Sequence, residues 1–133
     1  MDRLYVMDAS ALLAVVFDEE GADAVLALAP RGALLSTVNW TEVLAKLVDH
    51  GLPVDEAIPR LSESGLLDAI RLVEFDTAQA RAAAELRQHT RPLGLSLGDR
   101  ACLALALLRG ARAVTTDQVW LRVPGVAVTC VRL

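Results

Sequence analysis

Aromatic side chains are scarce in this 133-residue chain, at 4%, so its core must be packed mainly from Ala, Leu and Val. No apolar run is long enough to cross a bilayer. Asp2 and Arg3 stand where an export leader would carry a basic stretch ahead of a long apolar core. Cysteine is limited to Cys102 and Cys130, both in apolar stretches and without CxxC or Cys/His spacing, which predicts buried, reduced thiols rather than a disulfide or a zinc site. A cytoplasmic location is the expectation. An excess of positive charge is also missing: the net charge of −4 argues against coating nucleic acid by charge neutralisation. The basic residues are twelve Arg and a single lysine, Lys46, and Arg is the side chain suited to bidentate phosphate contacts. A nucleic-acid function would therefore need a local basic rim around an acidic pocket. Ser36, Ser62 and Ser64 lack any GxSxG setting, which leaves a serine hydrolase without support.

Hydrophobic residues, at 54%, and charged residues, at 23%, describe a folded domain, and without linkers or repeats the whole chain, 1–133, reads as one unit. The opening RLYVM reads as a strand ending at Asp8, and ASALLAVVF as the helix after it. Further helices are predicted over Glu20–Ala29, Val38–Asp49, Thr77–Thr90 and Gly98–Arg109, the last closed by Gly110. Val54–Ser64 has helical periodicity but carries Pro59 inside, which predicts a kink or two short helices. Strands are predicted at Ala33–Ser36, Ile70–Phe75, Ala113–Thr115 and Ala127–Val131. Alternation of this kind implies a three-layer α/β/α domain around a mainly parallel sheet of four to five strands.

In such sheets the site lies beyond the carboxyl ends of the strands, where Asp8 and Asp117 fall. Each is also a natural cap for the helix that follows. Asp99, in the first turn of its helix, is favoured there by the helix dipole whatever its role, and Glu42 taken alone reads as a solvated mid-helix residue. As a set, Asp8, Glu42, Asp99 and Asp117 would supply the hard oxygen ligands that Mg²⁺ or Mn²⁺ requires for phosphodiester cleavage. Their mutual repulsion would call for a bound divalent cation. His50 and His89 read as surface residues, Trp40 and Trp120 as packing residues, and Arg100 as either a phosphate contact or an exposed helix position.

Four blocks carry a resemblance: VMDASALLAV around Asp8, STVNWTEVLAKL around Glu42, LSLGDRACLALA around Asp99 and VTTDQVW around Asp117. In that order and spacing the chain resembles the PIN-domain family and, within it, the VapC-type toxins of bacterial type II toxin–antitoxin systems. The resemblance implies that Asp8, Glu42 and Asp99 are the metal-binding acids, with Asp117 a fourth acting directly or through water. It places Ser10 and Thr115 in polar positions beside the acids, and Asn39 one helical turn before Glu42 as support. It further implies a Mg²⁺- or Mn²⁺-dependent ribonuclease that hydrolyses RNA by metal-activated water. The implied partners are a VapB-like antitoxin and a second copy of the chain, with DNA reached only through the antitoxin. Two other readings compete: an inactive PIN-like binding module, and a phosphatase with Asp8 as nucleophile. The phosphatase needs a second acid two residues on, where the chain has Ser10.

Overall fold

Five short strands run parallel in one sheet in the computed structural model, which describes residues 4–132. They are β1 (Tyr5–Met7), β2 (Ala33–Ser36), β3 (Ile70–Val73), β4 (Arg112–Thr115) and β5 (Val128–Cys130), in the spatial order β3-β2-β1-β4-β5. Asp2 and Arg3, on which the leader expectation and the start of the first strand rested, lie outside the described residues.

Alternation along the strands divides the core. Tyr5, Met7, Leu35 and Val114 face one side, where they meet helices α1 (Ala9–Val16), α2 (Ala22–Leu28), α3 (Thr37–Asp49) and α4 (Val54–Glu63). Val6, Leu34 and Ala113 face the other, against α5 (Thr77–Glu85) and α7 (Leu97–Arg109). A parallel sheet covered on both faces needs apolar residues at every strand position, and β1 is buried at all three of its residues. The three-layer α/β/α architecture follows. No helix among the described residues is long and apolar enough to cross a membrane.

Of the two outcomes expected for Val54–Ser64, a kink or two short helices, the second does not occur: Val54–Glu63 is one helix with Pro59 inside it. Ala57 and Leu61 keep helical spacing across the proline and stay buried, while Pro59 and Asp55, whose carbonyl loses its partner, lie in an exposed stretch open to water. Thr77–Thr90 is instead broken at Leu86 into α5 and the short α6 (Arg87–Thr90). The Ala83 carbonyl, which an unbroken helix would offer to Arg87, accepts a 3.2 Å hydrogen bond from Arg100 Nη1. Arg100 is thus half-buried and tied to α5, not free on the surface.

Candidate metal centre

Register places the first acid. Met7 is paired with both Leu35 and Val114, so Asp8, one residue on, comes level with Ser36 and Thr115 at the carboxyl edge of the central strand. The Asp8 N–H is held by the Val114 carbonyl at 3.0 Å. Its carboxylate caps α1, accepting from the Ala11 N–H at 2.8 Å, and is gripped by two hydroxyls. Ser10 Oγ lies 2.7 and 2.9 Å from the two carboxylate oxygens, and Thr115 Oγ1 donates to Oδ2 at 2.6 Å. Thr115 is itself fixed by the Asp117 N–H at 3.1 Å, and Ser10 by the Thr116 N–H at 3.1 Å.

Burial dominates the electrostatics of Asp8. It raises the carboxyl from its ordinary 3.8 to about 6, against the opposing hydrogen bonds of Thr115, Ser10 and Ala11, with the nearby Asp99 charge adding to the rise. The Cys102 thiol, buried behind the site, is pushed well up, first by burial and then by Asp8, Asp99 and Glu42. Three carboxylates thus bear on one point from three elements.

Glu42 and its support come from α3, which Ser36 starts by accepting from the Val38 N–H at 3.2 Å. Asn39 and Glu42, three residues apart, share a helix face. Asn39 Nδ2 donates to Glu42 Oε1 at 2.8 Å and to the Gly98 carbonyl at 3.0 Å, so one buried amide orients the acid and docks α7 on α3. Its Oδ1 is buried with no partner among the described residues. Gly98 leaves room for this contact: a Cβ there would come within 2.6 Å of the Glu42 carboxyl carbon. Asp99, next along α7, closes a capping box, with Oδ2 accepting from the Ser96 N–H at 2.8 Å.

Asp8, Glu42 and Asp99 line one cavity of about 320 Å³, together with Ser10, Leu13 and Lys46. Asp117 does not reach it; it is exposed, and its carboxylate caps the turn that follows by accepting from the Val119 N–H at 3.0 Å. No three Asp, Glu, His or Cys among the described residues stand at single-ion spacing. The donor set nevertheless fits a hard divalent cation: three carboxylates on one cavity, one of them buried without a counter-charge, and a glycine whose missing side chain lets the Glu42 carboxylate sit against α7. Lys46, which sequence reasoning passed over as a site residue, stands one turn after Glu42, and that spacing was its legible signal. Both cysteines are free, with Cys102 buried and Cys130 half-buried.

A family model for the PIN domain matches residues 5–126. Comparison of the sequence with curated proteins gives no match. Several solved structures share the fold over nearly the full length of both chains. VapBC2 from Rickettsia felis, bound to a DNA fragment from its promoter, is 16% identical, covers 95% of this chain and 97% of its own, and has a TM-score of 0.74. A toxin–antitoxin complex from Klebsiella pneumoniae is 21% identical over 94% and 95% of the two chains, with a TM-score of 0.72. VapBC-5 from Mycobacterium tuberculosis, a member of the VapBC family of toxin–antitoxin systems, is 24% identical over 98% of each chain, with a TM-score of 0.59.

Proposed function

Because the chain belongs to the PIN-domain family, we propose that it is a divalent-metal-dependent endoribonuclease, the toxin of a VapC-type toxin–antitoxin pair. The observation that carries this reading is the joining of Asp8, Glu42 and Asp99 on a single cavity at the carboxyl edge of the sheet. Asp8, Glu42 and Asp99 would hold the Mg²⁺ or Mn²⁺, with Asp117 supporting the site through its backbone N–H to Thr115. A cation bound there supplies an activated water and neutralises charge on the phosphodiester. Ser10 and Thr115 fix the Asp8 carboxylate, Asn39 fixes that of Glu42, and Lys46 brings the cavity its one positive charge for a phosphate.

Partner binding has its own support. An apolar cleft of about 720 Å³ runs between α1 and α2 on one side and α3 and α4 on the other, lined by Val15, Val16, Leu26, Leu47, Leu52 and Leu61 among others. Its chemistry suits an amphipathic segment of an antitoxin. Leu97, Leu107, Leu108 and Leu121 are exposed elsewhere and would be covered in a homodimer. Contact with DNA would belong to the antitoxin, RNA to the acidic cavity, and the cytoplasm is the compartment that suits both free thiols.

The test is cleavage of a mixed RNA substrate by purified protein with Mg²⁺, with Mn²⁺ and with chelator. Cutting that needs the metal and disappears in Asp8→Asn and Asp99→Asn supports the reading; a folded protein that leaves RNA whole under all conditions refutes it. That second result would favour an inactive PIN-like binding module. Growth arrest in bacteria, relieved by the neighbouring small open reading frame and absent in Asp99→Asn, tests the antitoxin.

A further inference from the structure

A second hollow, of about 530 Å³, adjoins the acidic cavity and shares Ser10, Leu13 and Lys46 with it. Where the first is lined by carboxylates, this one gathers Lys46, His50 and Arg132, with Thr116 adding a hydroxyl. Glu19 is its one acid, an exposed residue on the same wall. Lys46 makes no ion pair among the described residues. Arg132 is held by the Glu20 carbonyl through Nε at 3.2 Å and Nη2 at 2.9 Å, and its 4.0 Å approach to the Glu20 carboxylate leaves it only partly neutralised.

The aromatic content is as specific as the charge. The His50 ring lies 4.7 Å from that of Phe17 at 33°, an aromatic pair in a chain with few aromatics. His50 Nδ1 is 2.9 Å from the Lys46 carbonyl, which only accepts, so Nδ1 carries the proton and Nε2 is left to face the hollow or solvent. Glu42 and Lys46, one turn apart on α3, and His50, which caps the end of that helix, follow at four-residue spacing and lead from the acids to the aromatic pair.

We propose that this second hollow seats the nucleotide next to the scissile phosphate of a single-stranded RNA, with Lys46 meeting its phosphate and the Phe17–His50 pair meeting its base. The proposal rests on the nuclease reading for the direction of the strand, and not for the binding itself. A phosphate attracts Lys46 without base preference, and an aromatic face stacks on any base, so the subsite holds a strand in place across the acids. It is the local basic rim that a chain of net charge −4 requires in order to hold RNA.

The experiment measures binding of a fluorescent eight-nucleotide single-stranded RNA to Asp8→Asn protein, kept whole by that substitution, by anisotropy across a series of salt concentrations. Adding Lys46→Ala should weaken binding about tenfold and flatten the slope of log K against log salt by about 0.7, one single-strand phosphate contact. Adding His50→Ala should weaken binding about tenfold with the slope unchanged. Both residues are exposed, so neither change empties the core, and Arg81→Ala, on an exposed ion pair of α5, should leave binding as it was. Equal losses for Arg81→Ala, unchanged affinity in both groove variants, or no RNA binding at all would overturn the proposal. Cleavage by the unmodified protein with no effect of either variant sinks the subsite and keeps the nuclease; the expected losses without any cleavage keep the subsite and sink the nuclease.

Discussion

Replacing Asp8 with Asn should make the metal-free protein more stable at neutral pH while destroying its activity. Asp8 is 5% exposed, and burial lifts its carboxyl from 3.8 to about 6. That rise corresponds to about 3 kcal/mol against the charged form in the folded state, an order-of-magnitude figure. The folded protein binds this proton more tightly than the unfolded chain does. The stability it contributes is therefore complete below about pH 4 and is lost as pH climbs through about 6. Asn cannot ionise, and its Oδ1 can keep the bond from the Ala11 N–H while the Ser10 and Thr115 hydroxyls turn to accept from its amide. In chelator at pH 7.5, Asp8→Asn should melt up to about 10 °C above the parent for a domain of this size. Melting curves by circular dichroism from pH 4 to 8 should show the gap closing toward pH 4. Mg²⁺ should raise the melting temperature of the parent and leave that of the variant unchanged. A variant that melts below the parent at pH 7.5, or a gap independent of pH, would refute the reasoning.

Gly98→Ala should lower kcat/KM at least tenfold with little change in melting temperature, because the new methyl displaces the flexible Glu42 carboxylate while Ala favours the helix by about 1 kcal/mol. Unchanged RNA cleavage in that variant would show that Glu42 has no set position to lose. Asn39→Ala should cost about 1 kcal/mol in urea unfolding, since it removes the side-chain bond that docks α7 on α3 through the Gly98 carbonyl and frees Glu42, and activity should fall with it. Thr115→Val removes a hydrogen bond that holds the Asp8 carboxyl down, so the acid limb of the pH–rate profile should move to higher pH. A limb that stays in place would detach Asp8 from that limb.

The sheet and most helices were legible because their signals are local: β-branched and apolar runs ending in Asp or Ser, and Gly110 in the left-handed conformation that closes α7. Asp8, Glu42 and Asp99 could be named from their blocks, and the cavity joins them. Asp117 sits at a strand end as read, but its carboxylate is used for capping, and no local pattern tells a cap from a ligand. The break at Leu86 was invisible because its cause, the reach of Arg100 across to Ala83, spans 17 residues. The aromatic pair of Phe17 and His50 joins α1 to the end of α3, a pairing set by tertiary packing alone.

Strand β1 lies in the middle of the sheet although it is first in the chain. Its neighbours are β2 and β4, and Thr115, whose hydroxyl grips Asp8, is 107 residues downstream. During synthesis the emerging polypeptide can collapse around β1 and β2, yet the Asp8 pocket stays unfinished until β4 has been made. On the ribosome, Asp8 and its helix α1 therefore emerge long before the partner that grips the carboxylate, and the pocket is completed only when β4 docks beside β1.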